Sequence, residues 1–185
     1  MLTYRNLRVS EVDLISDLIS SPFGTNYSLH HNYDFHGFRI DYFRERITNF
    51  PLGLIGLIKN CGSKGDGLLG LAYGTRLDEI RDSSSNNHFR NYDPKGKYFY
   101  VEGLITESGI NLVFRVGLFK EIKKQAFLIG GIQRVFVGID SRLDDLTLVN
   151  YAGGILIQEL KDYYSPNSVT SNGLGKIFEL TKVKV

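Results

Sequence analysis

A strand–helix–strand pattern between residues 97 and 140 constrains the fold more than any other part of the sequence. Residues 97–106 are mostly apolar and include three consecutive aromatic side chains, which predicts a buried strand. Apolar residues at helical spacing predict a helix from Gly117 to Ile129, and residues 133–139 are typical of another buried strand. Strands joined by such a helix lie parallel, with a right-handed crossover. The pattern therefore predicts two parallel neighbours in one sheet.

Predicted hairpins flank this unit and make the sheet mixed. Residues 52–59 and 68–74 are joined by a glycine-rich turn, and residues 155–160 and 176–183 supply the last two strands. The other predicted elements are a first strand at Tyr4–Val9 and three helices. One helix begins at Ser10, and the other two lie at Ile40–Ile47 and Asp144–Ala152. We therefore expect one α/β (α+β) domain over residues 1–185, with about six or seven strands in a twisted sheet and helices on both faces.

Charge and composition argue against several classes of function. The 22 basic and 20 acidic residues give a formal net charge of +2, too small for a general nucleic-acid binder. We expect no membrane-spanning helix and a cytoplasmic location, because no long apolar run and no apolar leader are present. Cys61 is the only cysteine, and the spacing of His30, His31 and His36 fits no zinc motif. We therefore expect no metal site.

Three local segments follow one another along the chain: the opening Tyr4–Ile15, the strand Leu68–Gly74 after its hairpin, and the Gly153-Gly154-Ile155 step into the last strand pair. Taken in this order, they resemble the GNAT acyltransferase superfamily over nearly the whole chain. Two further segments, Ser21–Tyr27 and Arg134–Leu143, are similar to branches that take acyl groups from acyl carrier protein. These branches are the autoinducer synthases, the N-acyl amino acid synthases and the toxin-activating lysine acyltransferases.

The resemblance implies a donor site between the strands at residues 97–106 and 133–139. In the superfamily these fourth and fifth strands splay apart, and the pantetheine arm of an acyl thioester lies in the gap against the backbone of the fourth. Leu104, Ile105 and Thr106 take that place here. The pyrophosphate lies at the start of the next helix, where free N–H groups attract anions. The residues that fall there are Phe114, Arg115, Val116 and Gly117.

The segment before that helix departs from the superfamily's phosphate-binding pattern, Gln/Arg-x-x-Gly-x-Gly/Ala. Val113 and Arg115 fall on the small-residue positions. A bulky side chain hinders close approach of backbone to phosphate, whereas the Arg115 fork is able to bind a phosphate directly. We therefore expect weak acetyl-CoA binding and a donor that is either an acyl-CoA or an acyl carrier protein. Lys120, Lys123 and Lys124 are predicted to form a solvated face, which would also suit an acidic carrier protein.

Two residues are candidates for proton transfer. Glu102 stands alone in an apolar and aromatic strand, where a carboxylate is costly unless it is paired or used, so we expect a general base; the alternative is a solvated side chain. Tyr151 lies near the position of the superfamily's tyrosine acid, and the alternative is a buried packing tyrosine. The resemblance implies an N-acyltransferase that uses a small-molecule or protein amine and no tightly bound cofactor. The competing interpretation is an inactive GNAT-like binding module.

Overall fold

A computed structural model defines the fold over most of the chain. Within the described part, no helix has the length and apolar character that crossing a membrane requires. The candidate metal ligands His30, His31 and His36 lie outside the described residues. The residues described are 1–22, 24–28, 40–62, 65–76, 98–140, 143–160 and 175–181.

The described ranges contain eight strands and four α-helices. The strands are β1 (Leu2–Asn6), β2 (Thr25–Ser28), β3 (Leu54–Asn60), β4 (Asp66–Arg76), β5 (Tyr98–Glu107), β6 (Arg134–Asp140), β7 (Gly154–Leu160) and β8 (Gly175–Leu180). The helices are α1 (Asp13–Ile19), α2 (Ile40–Asn49), α3 (Leu112–Leu128) and α4 (Leu143–Tyr151). Single 3₁₀ turns precede α1 and β3, at Val9–Glu11 and Pro51–Gly53.

The strands form one mixed sheet in the order β1-β3-β4-β5-β6-β8-β7, and the short strand β2 pairs with β5 beside this path. β5 and β6 are parallel, with Tyr98 opposite Arg134 and Val101 opposite Val137. The other strand pairs described are antiparallel. The predicted parallel unit and mixed α/β sheet are therefore confirmed, while β2 was not predicted.

Helices cover both faces of the sheet, as predicted. On one face, α3 and α4 pack on β5 and β6 through a core that includes Leu104, Leu118, Val137 and Leu148. On the other face, α1 and α2 pack on β3, β4 and β5 through a second core. Alternate residues of a strand point to opposite faces, so β5 contributes to both cores.

Helix α3 begins at Leu112, five residues before the predicted start at Gly117. Asn111 caps it, since its side chain accepts a hydrogen bond from the Val113 N–H at 2.9 Å. Gly117 therefore lies inside the helix, where the ring of Tyr4 occupies the space that a Cβ would fill. The glycine permits close packing between α3 and β1, because any larger residue would collide with the tyrosine hydroxyl.

The predicted solvated lysine face of this helix is wrong at one position. Lys123 is buried, and its ammonium group donates a 2.7 Å hydrogen bond to the Ala152 carbonyl just beyond the end of α4. Burial lowers the pKa of Lys123, and the nearby positive charge of Lys120 lowers it further. Lys120 and Lys124 are exposed. Lys123 is thus a tether between α3 and α4.

Candidate active site

Glu102 occupies an irregularity in the central strand β5. Tyr73 of β4 lies opposite Gly103, whereas the next residue, Gly74, lies opposite Val101, so Glu102 has no direct partner on β4. An extra residue of this kind bends the strand and redirects its side chain, and such bulges are frequent beside active sites. The bulge places Glu102 on the face that α2 covers.

The carboxylate of Glu102 is buried against two side chains of α2. Its side chain is 5% exposed, so the predicted alternative of a solvated residue is wrong. Arg46 Nη2 donates to the two carboxylate oxygens at 2.9 and 3.0 Å, and the Tyr42 hydroxyl lies 3.1 Å from each. The adjacent guanidinium favours the ionised form of the carboxylate.

Tyr42, Arg46 and Glu102 form a group of side chains, which we call the Glu102 cluster, with a second tyrosine, Tyr73, close to the neighbouring Gly103. The Arg46 guanidinium lies over the Tyr42 ring, 5.1 Å from its centroid. A Cβ added to Gly103 would lie only 2.6 Å from the Tyr73 hydroxyl oxygen, so the chain requires glycine at this position. The backbone of Gly103 is therefore in close contact with a buried tyrosine at the point where β5 bends.

β5 and β6 separate at this same point. Their parallel pairing ends at Val101 and Val137, although β5 continues to Glu107 and β6 to Asp140. Glu102 and Gly103 consequently lie at the apex of a gap between the two strands. From Leu104 onward the edge of β5 that faces this gap is paired with β2. The splayed strands that the resemblance implied are thus present, with a segment of the chain itself against one of them.

The predicted donor-binding residues of β5 present only backbone to the gap. The side chains of Leu104 and Ile105 are buried in the cores on opposite faces of the sheet. Thr106 is also buried, and its hydroxyl oxygen has no hydrogen-bond partner among the described residues. Any ligand held by this stretch would therefore bind main-chain groups.

The start of α3 offers fewer amides to an anion than a bare helix N-terminus. The Val113 N–H is bonded to the Asn111 side chain, and those of Phe114 and Arg115 are bonded to the Asn111 carbonyl at 3.0 and 3.3 Å. The Val113 side chain is 72% exposed. Of the four predicted phosphate ligands, Phe114 and Arg115 lie in the first turn, while Val116 and Gly117 lie in the second.

Tyr151 is not brought to the Glu102 cluster. It is the last residue of α4, which packs on the opposite face of the sheet from α2, and it is 61% exposed. The predicted alternative of a buried packing tyrosine is therefore wrong. Its role as an acid stays a prediction.

Tyr42 and Arg46 were not predicted as site residues. They lie four residues apart on α2, beside the buried Phe43 and Ile47, and this spacing is the one sequence signal that places them together on a partly covered helix face. Their partner Glu102 is 56 residues beyond Arg46. Helical spacing identifies such a pair of side chains, but only the folded chain shows which carboxylate they bind.

Comparisons with known proteins show the fold. No protein-family model matches the chain, and neither does any protein of curated function. The NatC complex bound to Gag peptide and CoA is similar in structure, with a TM-score of 0.65, 14% identity and 98% of each chain covered. An N-acetyltransferase from Staphylococcus aureus Mu50 has a TM-score of 0.63 at 14% identity, over 97% of this chain and 98% of that one.

A third similar structure broadens the chemistry of this fold. The GphF GNAT-like decarboxylase in complex with isobutyryl-CoA has a TM-score of 0.60 at 18% identity, over 97% of this chain and 98% of that one. The chain therefore has the GNAT fold, as its sequence implied. A fold shared by acetyltransferases and a decarboxylase does not by itself fix the reaction.

Proposed function

We propose that the protein is an N-acyltransferase that moves an acyl group from a thioester to an amine. The observation that carries this proposal is the buried carboxylate of Glu102 at the apex of the gap between β5 and β6, held by Arg46 and Tyr42. A base is required there because an amine attacks a thioester only in its neutral form. The CoA-bound NatC structure, whose fold is similar, supports the same conclusion.

The proposed reaction joins an amine to the acyl carbon of a thioester and releases a thiol. The amine nitrogen attacks the thioester carbonyl, its proton passes to Glu102 directly or through one water, and a tetrahedral oxyanion forms. The C–S bond then breaks as the C–N amide bond is completed. The departing thiolate takes up a proton from water or from an acid, for which Tyr151 stays the predicted residue. The proposed reaction steps need no metal ion and no redox group.

The donor that best suits this site is an acyl thioester with a long chain. The start of α3 supplies little for a pyrophosphate, since Asn111 already binds the Val113 N–H and the Val113 side chain projects into solvent. Each buried CH₂ of an acyl tail contributes about 0.8 kcal/mol, so a few methylenes offset a lost phosphate contact. Acyl carrier protein is a second donor candidate, and the exposed Lys120 and Lys124 would suit its acidic surface.

The experiment that tests the proposal measures acyl transfer with acetyl-CoA and a long-chain acyl-CoA against amino acids, polyamines and N-terminal peptides. Glu102→Gln keeps the size of the side chain and removes the base, so we expect turnover to fall by roughly 10²–10⁴. Glu45→Gln is the matched control, because it removes an exposed carboxylate from α2. Full activity of Glu102→Gln would reject the role of Glu102, and no transfer with any pair would reject an acyltransferase that takes its acyl group from CoA.

A non-catalytic binding module is the second candidate. It is favoured by the pairing of β2 along the edge of β5 that a donor would need. If this pairing is permanent, the gap is part of the sheet rather than a ligand site. The two candidates therefore differ in whether β2 can leave.

A further inference from the structure

The strand β2 binds the part of β5 that lies beyond the apex of the gap. Thr25 is opposite Glu107 and Ser28 is opposite Leu104, in antiparallel register. The Ser108 N–H donates to the Gly24 carbonyl at 3.0 Å and extends the ladder by one pair. The same stretch of β5 is paired on its other edge with β4, with Ala72 opposite Leu104.

This double pairing fixes where β2 lies. A strand has two edges, and β4 occupies one edge of β5 along both halves of the strand, while β6 pairs with the other edge over Tyr98–Val101. β2 must therefore lie on the edge that faces β6, inside the gap. A short piece of the chain takes the position on β5 that a pantetheine arm would take.

The register also shows which main-chain groups are occupied. Hydrogen-bonded pairs alternate along an antiparallel ladder, and Gly24–Ser108 is one such pair. Asn26–Thr106 and Ser28–Leu104 are then the next two, so the backbone of Leu104 and Thr106 points towards β2. These are two of the residues that the sequence predicted as donor ligands.

We propose that β2 is a displaceable strand that competes with the pantetheine arm of the donor for the gap edge of β5. This inference rests on the proposed acyl transfer, because it needs a thioester donor. The two amides of pantetheine carry two N–H and two C=O groups, which replace at most four of the main-chain hydrogen bonds that β2 gives up. The apparent donor affinity then equals the intrinsic affinity multiplied by the fraction of molecules in which β2 has left.

The size and attachment of β2 suit a segment that exchanges. It has only four residues, and β5 is its single partner in the described part of the sheet. Beyond the ladder, it is held through the preceding chain, where the Ser21 hydroxyl donates to Glu107 at 2.8 Å. Short elements with one neighbour open at the lowest free-energy cost in a fold.

A reversible lock tests the inference. Thr25 and Glu107 form a non-hydrogen-bonded pair, whose Cα atoms in antiparallel sheets lie about 4.5 Å apart, within the span of a disulfide. We would combine Thr25→Cys and Glu107→Cys with Cys61→Ser, which removes the exposed native thiol. Calorimetry with a long-chain acyl-CoA should show binding by the reduced protein and at least about a hundredfold weaker binding by the oxidised one.

A proline pair tests the same inference without a disulfide. Asn26→Pro deletes an N–H that faces β5, whereas Tyr27→Pro deletes one that faces away, so Tyr27→Pro is the matched control. We expect Asn26→Pro to bind the acyl-CoA up to about tenfold more tightly than the control. The inference would be overturned if the oxidised and reduced disulfide variants bound the acyl-CoA equally and the two proline variants also bound it equally. That result would leave the proposed acyl transfer intact. If no variant and no redox state binds acyl-CoA, the inference and the acyl-CoA donor of the proposed function both fail.

Discussion

Replacing Arg46 by methionine removes the guanidinium from Glu102 and leaves a buried carboxylate that the Tyr42 hydroxyl still contacts. Removing one partner of a buried ion pair costs about 3–5 kcal/mol, because the remaining charge stays out of water. We expect about 3 kcal/mol here, since Tyr42 still donates and the Arg46 side chain is 17% exposed. For a chain of this size that corresponds to a fall in Tm of roughly 6–12 °C.

The assay is a double-mutant cycle followed by urea unfolding at pH 7. Glu102→Gln keeps an acceptor for Tyr42 and removes the charge, so the second loss of Arg46 should cost much less in that background. We expect the two changes together to be less damaging than their sum by about 2 kcal/mol. Additive effects, or a loss below about 1 kcal/mol for Arg46→Met alone, would refute the idea that the guanidinium stabilises a buried ionised Glu102.

Two further predictions concern stability away from this cluster. Gly117→Ala should destabilise the protein by roughly 1–3 kcal/mol, because the new methyl group collides with the Tyr4 ring. The space around Gly130 is open, so Gly130→Ala should be neutral in the same thermal unfolding assay. Comparable unfolding temperatures for both would count against this packing. The hydrogen bond from Arg134 lowers the pKa of Glu179 below its ordinary value of 4.5. The ion pair therefore stabilises the folded protein above that pH, and this contribution is lost as the pH falls through the lowered pKa. Glu179→Gln should cost up to about 1 kcal/mol at pH 7, and its difference from the wild type should shrink below pH 4.5; a constant difference would contradict the assignment.

Hydrophobic periodicity predicted those elements whose sequence pattern depends on local burial alone. The parallel pair formed by β5 and β6 followed from an apolar strand, an amphipathic helix and a second apolar strand, and these patterns depend on local burial. The start of α3 was misplaced because Leu112, Val113 and Phe114 are apolar residues that do not resemble a first turn. The cap on Asn111 was the local signal that would have placed it.

The remaining features depend on contacts distant in sequence. β2 shows no apolar alternation, and it is a strand because β5 offers it an unpaired edge. The lone carboxylate in a strand did point to Glu102, since an unpaired buried charge is unfavourable. Arg46 and Tyr42 were not predicted, because the pairing of α2 with β5 is set by how the helix packs on the sheet.

In the proposed function, an acyl donor binds along the gap edge of β5 and ends at Glu102. The most direct measurement is an NMR titration of the labelled protein with a long-chain acyl-CoA, followed through the backbone amides. We predict the largest shifts at Leu104, Thr106 and Ser108, as these residues exchange β2 for the donor, with smaller shifts at the start of α3. Saturable shifts confined to other strands, or none at all, would contradict the account.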